Sequence, residues 1–241
     1  MSAILNSGLI LLLRYNCITS ACMRNLTATS LRCRSGQSPS NSHEAGVMQK
    51  GEIMKDRIRT LTIDNIDEEI ALFEEQIKDI AIPSNMTGTA LLQLLKRQPI
   101  EKTSYYSEVS YFEAANRIMT DMVILYGVKW LLRNGSFEFK SYTVEFGNEN
   151  KRTHDIESEK SGSKQLVGEA FNVAPSFFQG KKSKMLNKLR SKTDAEYKFI
   201  VVNNDAVERG YQPKLSSDEY ILLIDIFGDN SQLLQQKMKN A

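Results

Sequence analysis

Apolar residues recur at spacings of three and four at Ile66, Ile70, Phe73, Ile77 and Ile80, which predicts an amphipathic helix. Asp64 is its expected N-cap and Pro83 its stop. Leu91, Leu92, Leu94 and Leu95 predict a short second helix over Thr89 to Arg97, closed by Pro99. The longest periodic segment runs from Tyr105 to Leu132. Phe112, Ala115, Met119, Met122 and Tyr126 make its stripe, Trp130 extends it, and Gly127 is expected to weaken or bend it. The period then changes to two. Phe137, Phe139, Val144 and Phe146 predict a strand with a bulge near Ser141. His154 to Lys160 predicts a more polar strand, Ser161-Gly162-Ser163 a turn, and Gln165 to Val173 a third strand, so that the last two form a hairpin. Pro175 opens a helix reaching about Ser191. Tyr197 to Asn203 and Tyr220 to Phe227 are continuous apolar runs, as expected of strands buried on both faces. Ser231 to Asn240 predicts a closing polar helix.

Helix, three-strand meander, helix, strand packs most simply as an α/β fold with a mixed central sheet flanked by helices. The expected organisation is a leader over 1–47, an N-terminal helical extension over 48–104, the α/β domain over 105–230 and a C-terminal helix over 231–241. No run of 18 apolar residues occurs in the 241-residue chain, so no membrane-spanning helix is expected.

Composition changes this picture at one end. Residues 1–43 contain Arg14, Arg24, Arg32 and Arg34, no acidic residue, and all three cysteines, Cys17, Cys22 and Cys33. An acid-free, Arg-containing, Ser-rich start has the composition of a mitochondrial or plastid transit peptide; a cytoplasmic or nuclear protein with a plain polar tail is the alternative. The whole chain carries 31 basic and 29 acidic residues, a net charge of +2. Without the four leader arginines, 27 basic residues face 29 acidic ones, so the body is weakly acidic. The body also lacks cysteine, which excludes disulfides, thiolate zinc sites, iron–sulfur clusters and thiol nucleophiles there. His154 is its only histidine, so a two-His metal site is excluded as well. Any hydrolytic chemistry falls to carboxylates and a cation.

Two carboxylates stand out. Asp155 and Glu169 lie on the two strands of the expected hairpin, where they can face one another across a shared Mg²⁺ ion. Downstream, Lys181, Lys184, Lys188 and Lys192 recur at spacings of three and four, on one helical face, and Lys182 adjoins them. Lysines that hold phosphate beside carboxylates that hold metal are what a nucleic-acid hydrolase requires. Residue by residue, plainer roles compete: solvated acids, a soluble lysine face, and a hydrogen-bonded structural His154.

Helix, meander carrying Asp155 then Glu169, basic helix and apolar strand resemble the core of the PD-(D/E)XK, or restriction-endonuclease-like, superfamily over about residues 105–205. The resemblance implies an αβββαβ core, Mg²⁺ held by Asp155 and Glu169, and a further carboxylate from the first helix, with Glu113 the preferred match and Glu108 in reserve. The family's third motif position is a lysine, whereas this chain has Phe171. Variants of the family carry that lysine on the neighbouring helix, which makes Lys181 or Lys182 the substitute. Three functions follow as expectations: a metal-dependent nuclease, a catalytically inactive relative serving as an interaction or regulatory module with a protein partner, or an unrelated α/β domain with an apolar small-molecule pocket.

Overall fold

The computed structural model describes residues 57–100, 106, 109–147, 151–192, 194–228 and 230–235, and among these the chain forms seven strands and four α-helices. The elements are β1 (Ile58–Thr62), α1 (Ile66–Ile77), α2 (Gly88–Arg97), α3 (Tyr111–Asn134), β2 (Ser141–Glu145), β3 (Ile156–Ser158), β4 (Leu166–Phe171), α4 (Pro175–Arg190), β5 (Tyr197–Asn203), β6 (Glu219–Ile224) and β7 (Gln232–Gln235). They form an α/β fold. The leader over 1–47, Tyr105 and Glu108 lie outside the described residues.

All seven strands form one sheet in sequence order. β1 to β4 are an antiparallel meander, β4, β5 and β6 run parallel, and β7 returns antiparallel to β6. The parallel β4–β5 step requires a crossover, and α4 supplies it. Alternate residues of β5 and β6 feed two cores. Phe199, Val201, Tyr220 and Leu222 join the core that includes α3, while Ile200, Val202, Ile221 and Leu223 join the one that includes α4. Burial on both faces explains the continuous apolar runs.

Ser110 caps α3, its Oγ accepting from Glu113 N–H at 3.3 Å, and Gly135 ends it in the left-handed conformation at φ 66°. The middle of α3 is buried on several sides because α1, α2 and the sheet all pack against the helix. Gly127 neither ends nor interrupts the helix. A Cβ at this position would lie 2.6 Å from Val201 Cγ1, so glycine is required by the close approach of helix to sheet.

Three expectations need correction. Gln232–Gln235 form strand β7, not the start of a helix: adjacent Leu233 and Leu234 enter opposite cores, the period-two signature of a strand. The N-terminal extension is not wholly helical, since β1 pairs with β2 in register from Ile58 opposite Glu145 to Thr62 opposite Ser141. The first meander strand is only Ser141–Glu145; Phe137 and Phe139 precede it as coil. Their alternation reflects packing, with the Phe137 ring edge-on to Tyr197, Phe199 and Tyr220 at 5.0–5.6 Å. Among the described residues, no helix is long and apolar enough to cross a membrane.

Candidate functional site

The meander aligns three carboxylates. Val144 stands opposite Ile156, and Ile156 opposite Gly168. One position further along, Glu145, Asp155 and Glu169 therefore fall in a row across β2, β3 and β4, and Glu145 N–H donates to the Asp155 carbonyl at 3.0 Å. The sequence pairing of Asp155 with Glu169 thus coincides with the register.

Each acid has distinct partners. Asp155 Oδ2 accepts from Ala170 N–H at 2.9 Å, extending the β3–β4 ladder by a side chain. Burial, then the charge of Glu169, pushes its carboxyl up to about 6, against the opposing pull of Ala170 N–H and Lys188. Glu169 is 2% exposed. Its Oε1 accepts from His154 Nδ1 at 2.8 Å and its Oε2 from Lys188 Nζ at 2.8 Å. A carboxylate only accepts, so this contact assigns the proton to Nδ1 of His154. His154 Nε2 is buried without a hydrogen-bond partner. Glu145 accepts from Lys151 N–H at 2.7 Å and Arg152 N–H at 2.5 Å, closing the connection between β2 and β3.

The helix α3 contributes Asp121 to this end of the sheet. It is buried, accepts from Tyr106 Oη at 2.6 Å, and receives Gly147 N–H at 3.0 Å on Oδ1. Burial raises its carboxyl to about 7, with a smaller upward push from the Asp155 charge. Gly147 has φ 78°, and a Cβ there would fall 2.0 Å from Arg57 Nη1, so this tight turn demands glycine.

The structure brings together only part of the set named from sequence. Asp155, Glu169 and Lys188 converge. Glu113 is exposed in the first turn of α3 and pairs with Arg117 at 2.5 Å, about two turns from Asp121, which is the α3 acid beside the row. Lys181 is exposed, its Nζ 5.9 Å from the Phe171 ring centroid, and Lys182 Nζ donates to Tyr211 Oη at 2.8 Å. Neither amine is the one that meets Glu169. Lys184 is exposed, and Lys192 pairs with Asp194 at 3.4 Å. Phe171 packs in the α4-side core, its ring 6.3 Å from that of Phe178. Sequence reasoning missed Asp121, Glu145 and the pairing role of Lys188; a carboxylate inside the apolar stretch Met119 to Val128 was the available signal for the first.

Among the described residues, no group of three or more His, Cys, Asp or Glu side chains is spaced to hold a metal ion. The donor set of the paired acids nevertheless suits Mg²⁺, which binds one or two carboxylates and retains its waters. Asp155 and Glu169 would be its holders. No family model, curated protein or solved structure matches this chain.

Proposed function

We propose that this chain carries a nuclease-like α/β domain that binds nucleic acid through lysines of α4 and holds Mg²⁺ on Asp155 and Glu169. The observation that carries this reading is Lys188 Nζ at 2.8 Å from Glu169, with Asp155 opposite Glu169 in the register. An acid–acid–lysine set thereby exists although Phe171 stands at the motif lysine's position. The order helix, antiparallel meander, helix, parallel strand supports a restriction-endonuclease-like core.

Bound there, the cation would polarise a phosphodiester and lower the pKa of a coordinated water. The chain's own residues do the positioning. His154 and Lys188 grip Glu169 by separate oxygens, which fixes its carboxylate beside Asp155. Lys181 and Lys184, exposed on the same helix, offer charge to phosphate.

The test is cleavage of labelled single- and double-stranded DNA and RNA by the full chain with Mg²⁺ or Mn²⁺. Metal-dependent cleavage should disappear in Asp155→Ala and Glu169→Ala and fall in Lys188→Met. Equal activity in wild type and variants would assign the cleavage to a contaminant and sink the reading.

One observation favours a second reading. Both Glu169 oxygens are already engaged, which suits an ion network that stabilises a non-catalytic interaction module. In that case the wild type binds nucleic acid or a protein partner without metal-dependent cleavage, and Glu169→Gln leaves binding intact.

A further inference from the structure

A cavity of 620 Å³ opens at the C-terminal ends of β5 and β6, between the 204–213 connection and β7. That volume is in the range of small-molecule sites. Its floor is apolar, with Leu223 and Leu234 on the α4 side of the sheet. Its walls are carboxamides, from Asn204, Gln212, Asn230 and Gln232, together with the ring of Tyr211. Tyr211 is held in place: its ring meets Phe178 edge-to-face at 5.3 Å, and its hydroxyl accepts from Lys182 Nζ.

The lining chemistry discriminates among ligand classes. Glu208 and Arg209 are its two charged residues and offset one another, so the cavity lacks the excess positive charge that a phosphate or a carboxylic acid would demand. Carboxamides present a donor and an acceptor side by side, the pattern displayed by the edge of a nucleobase. An aromatic ring beside them gives any base a stacking surface. The cavity borders β6, two strand spacings or about 10 Å from β4. Lys182, on α4 beside the exposed Lys181, ties the helix to the cavity wall.

We propose that this cavity is a nucleobase subsite, taking one unpaired base of a strand whose phosphates run along α4. The strand arrangement rests on the nucleic-acid reading above, whereas base recognition by the cavity does not.

The experiment titrates the full chain with adenosine, guanosine, cytidine and uridine, and with ribose 5-phosphate, following chemical shifts or heat. At least one nucleoside should bind saturably and ribose 5-phosphate should not. Tyr211→Phe should retain binding, because the ring remains. Tyr211→Ala should weaken it about tenfold or more. Gln232→Trp, at an exposed edge position where folding is little affected, should fill the cavity and abolish binding, and Lys160→Ala, exposed in the connection between β3 and β4, should leave it unchanged. No saturation by any nucleoside, equal binding of ribose 5-phosphate, or unchanged binding in Gln232→Trp would each overturn the proposal. A second arm separates the two readings. An oligonucleotide that binds with strong salt dependence, but with no loss when an abasic residue is placed at any position, removes the base subsite and leaves the nucleic-acid reading standing. Nucleosides that bind while no oligonucleotide does remove the strand and keep the subsite.

Discussion

Lys188 Nζ lies 2.8 Å from Glu169 Oε2, and the two side chains differ sharply in burial, at 38% and 2% exposed. The carboxylate therefore depends on the lysine more than the lysine depends on it. Lys188→Met keeps the aliphatic stem and deletes the charge, leaving Glu169 buried with His154 as its remaining partner. Solvent screening of the half-exposed amine reduces the loss below that of a fully buried pair, to about 1–2 kcal/mol. Urea denaturation of wild type, Lys188→Met, Glu169→Gln and the double variant measures the coupling. The expected outcome is a double variant more stable than the sum of the single losses implies. Strict additivity would mean the pair is not energetically coupled.

Asp121 and Asp155 make stability depend on pH with a defined sign. Their carboxyls rise from the ordinary 3.8 to about 7 and about 6, chiefly through burial. Both bind protons more tightly in the folded chain than in the unfolded one. The stability this contributes is fully present below about pH 4 and is lost as pH rises through 6 and then 7. Asp121→Asn keeps an oxygen acceptor for Tyr106 and Gly147 but does not titrate. The decline in unfolding free energy between pH 5 and 7.5 should be shallower in this variant, by an amount on the order of a few kcal/mol. Parallel slopes for wild type and variant would show that Asp121 is ionised at the same pH in both states.

The legible parts of this fold are those governed by local spacing. Asp155 and Glu169 could be paired from sequence because a short hairpin turn leaves few registers. β5 could be bounded because a strand buried on both faces has no polar interruption. What was hidden depended on distant partners. Strand β1 places only Leu61 fully in the core, and its identity rests on β2 some 80 residues away. The placement of α3 along the sheet brings Asp121, two turns beyond Glu113, to the end that carries the acid row, and α1, α2 and the sheet together hold the helix there. Lys188 meets Glu169 because α4 packs on β4 and β5, which spacing along the helix does not encode.

Gly127 is a packing requirement that helix propensity alone would misjudge. Exposed helical Gly→Ala substitutions gain up to about 1 kcal/mol. Here the added methyl would meet Val201 Cγ1 at 2.6 Å, with the sheet behind it. Gly127→Ala is therefore expected to lose about 1–3 kcal/mol net through overpacking. Val201→Ala in the same chain should restore much of that loss, because it vacates the volume that the added methyl needs. A stabilised Gly127→Ala in urea or thermal unfolding would contradict the helix–sheet contact.

The expected leader, acid-free over residues 1–43, makes its own prediction. Residues 1–47 fused to a fluorescent reporter should deliver it to mitochondria or plastids, and reversing the sign at Arg14 and Arg24 with Glu should abolish delivery. A diffuse signal from the unaltered fusion would end the targeting expectation.

The lysines on and just beyond α4 divide into paired and available groups, and salt dependence can tell them apart. Lys182 donates to Tyr211, Lys188 to Glu169, and Lys192 pairs with Asp194, whereas Lys181 and Lys184 project into solvent. If single-stranded DNA lies along this helix, the exposed pair supplies most of the counterion release. Each lost phosphate contact lowers the slope of log K against log salt by about 0.7 for a single strand. The double variant Lys181→Ala/Lys184→Ala should therefore reduce the slope by about 1.4, while Lys192→Ala should change it little. Fluorescence anisotropy of a labelled oligonucleotide across a salt series reads both slopes. An unchanged slope in the double variant would move the phosphate path off α4, because Lys181 and Lys184 are the exposed lysines of this helix.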